Sequence, residues 1–292
     1  EIENFPYQPL RKSAHITVTE AAAHIGAGCT GAAFNVLPFA ADELDEFMPI
    51  LERIHAYRPF FDLLAGRLGR EPVAGACAGW NRDSMVSGNI QGGRWLEAGY
   101  GDFSATFPAE IYEIGIPPAY SMETADVVML KGDTVCAFSE EELKSILSGA
   151  IYMDGKSHAH LCRMGMSALT GFETGKTLER DSIELFEAHE LNREIQGRRR
   201  DARQSFWHES AVELIPASGN AEILSSIVNY EEERIAPACM GVFENALGGR
   251  ICVSGYAPWS FLQSGSKSSQ MKSVFRWLTR DGLLAHVSSY HK

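Results

Sequence analysis

Two carboxylates separated by one residue, Glu1 and Glu3, lie near the start of the sequence and are followed by Asn4, Pro6 and Tyr7. In a β-strand, residues i and i+2 share a face, so both carboxylates would point the same way. A strand that ends in Glu-Asn and breaks at a proline is a frequent way to present a catalytic carboxylate at the top of an α/β barrel. The stretch therefore predicts part of a carboxylate active site. From spacing alone, a solvated chain terminus is the alternative.

The first 66 residues predict the elements that position these carboxylates, in the order strand, helix, strand, helix. Periodicity and capping signals place them at 2–5, at 17–27 with Thr17 or Thr19 as the cap, at 31–37, and at 42–57 between Asp42 and Arg58-Pro59. The second strand is apolar without alternation, which is typical of a strand buried on both faces. This βαβα order is the repeat of parallel α/β folds.

Residues 72–292 predict a second α/β domain, after a junction at 67–71. Strands at 73–78, 116–120, 125–130 and 150–153 alternate with helices, one of which begins at Ser139 with Glu142 completing a capping box. Such alternation predicts a parallel, flavodoxin-like sheet with helices on both faces. The polar stretch 173–210 has little periodicity and is interpreted as an insertion. Strands at 211–215, 238–243 and 250–256, a hairpin turn at 245–249 and a helix at 267–279 complete the prediction.

The chain to residue 66 resembles the last two βα units of glycosidase barrels, most of all the family 42 glycoside hydrolases and related β-galactosidase-like proteins. The similarity rests on Glu3-Asn4-Phe5-Pro6 at the end of the seventh strand, and on an alanine-rich helix with glycines that lead into strand eight. It implies that Glu3 is the catalytic nucleophile. It also implies a carbohydrate substrate, no cofactor, and a substrate-binding surface formed by Glu1, Asn4, Tyr7 and Asn35.

Retaining hydrolysis requires two carboxyl groups roughly 5 Å apart, a nucleophile and an acid/base. The resemblance puts the acid/base on an earlier strand, and two βα units cannot close an eight-stranded barrel. We therefore expect that a missing N-terminal barrel segment completes the site, and that this chain alone does not hydrolyse glycosides. The alternative is a non-catalytic structural or assembly module in which Glu1 and Glu3 have no catalytic role.

Residues 72 to about 280 resemble the glutamine-amidotransferase-like domain, often called the trimerisation domain, that follows the barrel in the same glycosidases. An active class I amidotransferase carries a cysteine at a strand-to-helix elbow and a later His-Pro-Glu. The elbow here is at 152–158 and contains no cysteine, Cys162 lies inside the following helix, and His189-Glu190 lacks the proline. The resemblance therefore implies a domain without amidotransferase chemistry that serves packing and assembly into a homo-oligomer.

The segment 155–159 (GKSHA) offers a weaker alternative at the same elbow, because it is close to the G-x-S-x-G motif of α/β hydrolases. Ser157 would be the nucleophile, with His158, His160 or His189 as the base. The last position is alanine rather than glycine, and a serine at a helix N-terminus has a simpler, structural explanation. A phosphate-binding loop is favoured even less, because this stretch lacks the upstream glycine of that motif.

Composition and charge argue against several other classes. A total of 26 Lys and Arg against 38 Asp and Glu gives a net charge of −12, which disfavours a nucleic-acid partner. The one basic run, 198–200, is interpreted as a solvated loop. Six cysteines without a CxxC pair fit free thiols in a reducing compartment such as the cytoplasm. The histidines lack metal-ligand spacing, and no apolar run is long enough to predict a membrane span.

Overall fold

The computed structural model describes residues 2–4, 12–34, 43–68, 74–83, 109–178, 183–201, 211–256, 258–259 and 264–282. The chain divides into two compact units, Glu1–Val73 and Ala74–Lys292, called the first and the second unit. Both combine helices with strands, so the α/β class predicted from the sequence is confirmed.

The first unit has the predicted order of strand, helix, strand, helix. Its elements are β1 (Ile2–Asn4), α1 (Ala14–Gly26), β2 (Ala32–Phe34), a 3₁₀ helix (Leu44–Phe47) and α2 (Met48–Arg67). The two strands are parallel neighbours, with Glu3 opposite Ala33 and Asn4 opposite Phe34. The prediction that strand 2–5 pairs in parallel with strand 31–37 is therefore confirmed over the described residues.

Helix α1 begins earlier than predicted. Its N-cap is Ser13, whose Oγ accepts a hydrogen bond from the Ile16 N–H at 3.2 Å. Thr17, one of the two predicted caps, is buried inside the helix, where its hydroxyl donates to the Ser13 carbonyl at 3.1 Å. Serine is among the strongest N-cap residues, and Ser13 lies a turn upstream, so the helix extends back to it.

Helix α2 continues through Pro59 to Arg67, so the prediction that it closes at Arg58-Pro59 is wrong. A proline inside a helix removes one backbone hydrogen bond and crowds the preceding turn, at a cost of about 3 kcal/mol. Packing outweighs this cost, because apolar side chains on both sides of the proline join one cluster with the buried face of α1. The α2 members of that cluster are Ile54, Tyr57, Phe61 and Leu64.

The second unit is built on a mixed sheet. Its strands are β3 (Ala76–Ala78), β4 (Val127–Leu130), β5 (Ala150–Asp154), β6 (Phe172–Leu178), β7 (Ile183–Phe186), β8 (Arg199–Asp201), β9 (Ala211–Pro216), β10 (Glu222–Val228), β11 (Arg234–Glu244) and β12 (Arg250–Ser254). Across the described residues the main sheet has the order β3-β4-β5-β12-β11-β10-β7-β8, and β6 pairs separately with β9.

Only part of this sheet is parallel, whereas the sequence predicts a parallel sheet. Strands β3, β4, β5 and β12 run parallel, and the pairs from β12 through to β8 are antiparallel. One reason for the antiparallel half is the connection from β11 to β12. The predicted turn at 245–249 is short, and two neighbouring strands joined by a tight turn must be antiparallel. The predicted hairpin is thereby confirmed.

Helices cover both faces of the parallel half. They are α3 (Ala109–Glu113), α4 (Glu140–Leu147), α5 (Gly155–Arg163), α6 (Ser167–Thr170) and α7 (Gly265–Leu278). Side chains alternate along β5, where Tyr152 packs in one apolar cluster with α7 while Ile151 and Met153 pack in another with α4 and α5. The capping box at the start of α4 is confirmed, because Ser139 and Glu142 bond each other's backbone N–H groups.

The stretch 173–210, interpreted from the sequence as a polar insertion with little periodicity, contains strands. This stretch contributes β6 and, through β7 and β8, an outer edge of the main sheet. The polar pattern conceals the strands because charged residues such as Glu184 are buried there and paired with other charges. The predicted strand at 116–120 forms only an isolated bridge from Pro118 to Ala76, since prolines cannot donate to a sheet ladder.

Candidate functional site

The edge formed by β1 and β2 carries the residues that the sequence predicts to be catalytic. Glu3 is the middle residue of β1, Asn4 is its last residue, and the neighbouring β2 ends at Phe34. Because parallel strands place their carboxyl ends at one edge, the backbone brings Glu3 and Asn4 beside the residue that precedes Asn35.

The other predicted site residues, Glu1, Tyr7 and Asn35, lie outside the described residues. The roles assigned to all five residues of this edge therefore stay predictions.

The elbow between β5 and α5 is organised by Asp154, the last residue of the strand and the N-cap of the helix. One carboxylate oxygen accepts from the Ser157 N–H at 2.7 Å. The other accepts from the Gly132 N–H at 2.8 Å and from the Trp259 indole at 3.0 Å. Burial raises the pKa of Asp154, although these three donors oppose the rise. This buried carboxylate joins three segments of the chain, which indicates a structural role.

Ser157 does not have the surroundings of a nucleophile. Its side chain is fully buried, and its hydroxyl donates to the Gly132 carbonyl at 3.1 Å. His158 is turned away, since its Nε2 bonds the Phe172 carbonyl at 3.0 Å, and burial lowers the pKa of its ring. His189 bonds Glu222 instead. The geometry therefore disfavours the serine-hydrolase alternative, and the structural explanation of Ser157 fits its contacts.

A second cluster at this edge of the sheet joins a thiol, an imidazole and a carboxylate. His160 Nε2 lies 2.6 Å from Asp133 Oδ1, and His160 Nδ1 lies 3.4 Å from the Cys136 sulfur. Lys156 bonds the other oxygen of Asp133 at 2.8 Å, and Arg163 donates to His160 Nδ1 at 2.7 Å. The order is that of a nucleophile, a base and an orienting acid.

Burial and neighbouring charges shift the pKa values of two groups in this cluster, Asp133 and Cys136. Partial burial alone raises the pKa of Asp133, but the hydrogen bonds from Lys156 and His160 and the positive charge of Lys156 hold it below its ordinary value. Burial raises the pKa of the Cys136 thiol, and the nearby Asp133 adds to that rise, against the opposing charges of Arg163 and Lys156. The resting cluster therefore contains a carboxylate and a protonated thiol.

Sequence reasoning missed this cluster, because its members come from two separate segments of the chain and no local pattern joins them. Asp133 and Cys136 follow β4, and His160 lies on the helix that follows β5. The available signal was topological, since β4 and β5 are adjacent parallel strands and ligands of open α/β sheets bind beyond the carboxyl ends of the strands.

A buried ionic network lies elsewhere in the second unit. Glu184 accepts from Lys267 Nζ at 2.7 Å and contacts Arg200 Nη2 at 2.9 Å, with the Lys267 and Glu184 side chains fully buried. Burial by itself raises the pKa of Glu184, but the two cations hold it below its ordinary value. Arg200 belongs to the basic run at 198–200, so the interpretation of the whole run as a solvated loop is wrong. The enclosed position indicates a structural role.

The described residues contain no group of three or more His, Cys, Asp or Glu side chains placed to hold a metal ion. Among the helices that the structure describes, none is long and apolar enough to cross a membrane.

No protein-family model and no curated protein sequence matches the chain. Among solved structures, the chain is similar to α-L-fucosidase isoenzyme 2 from Paenibacillus thiaminolyticus, with a TM-score of 0.59 and 12% sequence identity. The match covers 97% of this chain and 45% of the fucosidase chain, so the chain spans less than half the length of that protein. At this identity the similarity shows a shared fold alone, and it does not single out family 42.

Proposed function

We propose that this chain is the C-terminal part of a retaining, β-galactosidase-like glycoside hydrolase with Glu3 as its nucleophile. The observation that carries the proposal is the parallel pairing of β1 with β2, which sets Glu3 and Asn4 at the carboxyl edge of a βαβα unit. Catalytic residues of α/β barrels come from this edge. The similarity in fold to a glycoside hydrolase over nearly the whole chain supports the same class.

In the proposed reaction the Glu3 carboxylate attacks the anomeric carbon and forms a covalent glycosyl-enzyme, while a second carboxylic acid protonates the leaving oxygen. That second group then acts as a base and activates the water that releases the sugar. Glu1, Asn4, Tyr7 and Asn35 offer hydrogen bonds to the sugar hydroxyls. Such bonds raise the rate where they strengthen in the transition state.

The proposed enzyme needs further barrel strands besides β1 and β2. The described part of the first unit contributes two strands, and eight are required to close the barrel. The second unit, with no cysteine at its elbow, serves packing and homo-oligomer assembly in this proposal rather than amidotransferase chemistry.

The test compares Glu3→Gln with Glu52→Gln in the longer protein that includes the upstream barrel segment. Glu52 is exposed on α2, so its variant makes the same chemical change in the same unit. With an aryl β-galactoside, Glu3→Gln is expected to lower kcat at least about a thousandfold, while Glu52→Gln keeps the parental rate. Azide should restore turnover to Glu3→Gly and yield a glycosyl azide of inverted configuration, because azide takes the place of the missing carboxylate.

Parental activity in Glu3→Gln would overturn the nucleophile assignment. Turnover of an aryl α-L-fucoside but not of the galactoside, with the same dependence on Glu3, would keep the nucleophile and overturn the sugar class.

A further inference from the structure

We propose that Cys136, His160 and Asp133 form a nucleophilic thiol site in the second unit, which exchanges with small anionic disulfides to form a mixed disulfide on Cys136. This activity goes beyond the proposed glycoside hydrolysis and uses none of its residues. The contacts within the described residues carry it.

The hydrogen-bond partners of His160 fix the form of its ring. Asp133, a carboxylate with a lowered pKa, can only accept a hydrogen bond, so the Nε2 that lies 2.6 Å from it carries the hydrogen. Arg163 can only donate, so the Nδ1 that lies 2.7 Å from it carries the lone pair. The same Nδ1 lies 3.4 Å from the Cys136 sulfur. The imidazole therefore donates its N–H to the acid, and its basic nitrogen, which lies beside the thiol, accepts from Arg163.

The loop that carries the thiol is held in place from both sides. Cys136 lies in a 3₁₀ helix, Thr134–Ala137, just after β4. The Thr134 hydroxyl donates to the Lys131 carbonyl at 2.7 Å, and the Asn81 side-chain amide donates to the Ala137 carbonyl at 2.6 Å. A thiol and a base held by separate contacts need little reorganisation before reaction.

The charges around the thiol favour an anionic reactant. Lys156 and Arg163 flank the cluster, with the Lys156 side chain half exposed and Arg163 exposed. Arg163 donates to the nitrogen that must accept the thiol proton, so a substrate carboxylate that binds the guanidinium frees that nitrogen. Cys136 is a half-buried free thiol. A small disulfide from solution can therefore reach its sulfur.

The proposed step is balanced without any further oxidant. His160 Nδ1 takes the Cys136 proton, and the thiolate attacks one sulfur of the disulfide. The S–S bond of the reactant breaks as the new S–S bond forms, and the leaving thiolate takes the proton from His160. One protein thiol and one small disulfide are converted into one mixed disulfide and one small thiol.

Cys162 is an internal control, because it is another half-buried thiol beside a histidine. Its sulfur lies 3.4 Å from His158 Nε2, which donates to the Phe172 carbonyl at 3.0 Å and so cannot take the thiol proton. The basic nitrogen, His158 Nδ1, lies farther from the sulfur, at 4.0 Å, and contacts the Thr174 hydroxyl at 3.4 Å. Cys162 should therefore react slowly at neutral pH, although it has a histidine neighbour.

The experiment treats the intact chain with 5,5′-dithiobis(2-nitrobenzoate), a dianionic disulfide, and with oxidised glutathione, and maps the adducts by peptide mass spectrometry. We expect Cys136 to react at least about tenfold faster than Cys162, and His160→Gln to remove that advantage. Cys136→Ser should abolish the fast phase of thiol release. A neutral dipyridyl disulfide should react with much less preference for Cys136, because it has no negative charge for Lys156 and Arg163 to attract.

Asp133 acts through His160, so its variants need a separate readout. Asp133→Asn should lower the Cys136 rate, because the ring loses its fixed form, whereas Asp133→Glu should retain part of the rate. Far-UV circular dichroism checks that each variant is folded. Faster labelling of Cys162 or Cys29, or a parental Cys136 rate in folded His160→Gln, would overturn the proposal. These outcomes are independent of the Glu3 test, which concerns another unit and another assay.

Discussion

Replacing Lys267 by methionine removes one of two cations from a carboxylate that has no access to water. Lys267 and Glu184 are fully buried, and Arg200 contacts the same carboxylate. Breaking a buried ion pair by removing one partner costs about 3–5 kcal/mol. Lys267→Met leaves Glu184 paired with Arg200, so we expect the lower end, about 3 kcal/mol. Glu184→Gln leaves two buried cations facing a neutral amide, so we expect about 5 kcal/mol or more.

Tryptophan fluorescence during urea unfolding measures this effect in the second unit alone. All five tryptophans lie between Ala74 and Lys292. With a slope near 2–3 kcal/mol per M, a loss of about 3 kcal/mol lowers the midpoint by about 1 M or more. Lys144→Met is the matched control, because Lys144 pairs with Glu140 on the exposed face of α4. Exposed pairs contribute about 0–1 kcal/mol, so its midpoint should barely move.

The order of the two variants tests the reasoning more sharply than either magnitude. A smaller loss of stability in Glu184→Gln than in Lys267→Met would show that the Glu184 carboxylate does not neutralise both cations. A loss below about 1 kcal/mol in both variants would refute the enclosed ionic network altogether.

Two further predictions concern the second unit. Burial lowers the pKa of His158, so the unfolded chain binds a proton at this ring more readily than the folded chain does. The free energy of unfolding should therefore fall as the pH drops below about 6.5. Urea titrations at several pH values measure this slope, and His158→Gln should flatten it. An unchanged slope in the variant would contradict this. A methyl group added at Gly249 would lie 2.0 Å from the Leu147 carbonyl oxygen, so Gly249→Ala should lower the midpoint of thermal unfolding by several degrees. Gly219 is the control, because a methyl group there has no neighbour within 4 Å and Gly219→Ala should leave the midpoint unchanged. Equal midpoints would show that the backbone moves freely there.

Elements whose signals are local could be predicted from the sequence. The capping box at Ser139, the turn at 245–249 and the elbow at Asp154 each depend on residues within a few positions of one another. The parallel pairing of β1 with β2 follows from the short βαβ connection between them. In each case the residues that stabilise the element are also close together in the sequence.

Elements whose stability comes from distant residues could not be predicted. Strand β7 buries Glu184, which the local pattern assigns to a surface, because its counter-charge is Lys267 on the last described helix. Pro59 stays within α2 because the residues around it pack on α1. The thiol cluster combines the loop after β4 with the helix after β5, and its partners are 24 and 27 positions apart. These contacts join residues that are too far apart for a local sequence pattern to predict them.

The three hydrogen bonds of Asp154 also set an order of events during synthesis. Its indole partner, Trp259, lies 105 residues further along the chain, and the neighbouring Tyr152 hydroxyl bonds the Pro258 carbonyl at 2.6 Å across a similar span. At roughly 5–20 residues per second, about 5–20 s separate the translation of the carboxylate from that of its indole partner. Until then the elbow is incomplete, and pairing across so long a loop is slow to form. The second unit should therefore acquire its native elbow only near the end of translation, and a chain that stops before Trp259 should present an exposed, unfinished sheet to the cell's chaperones.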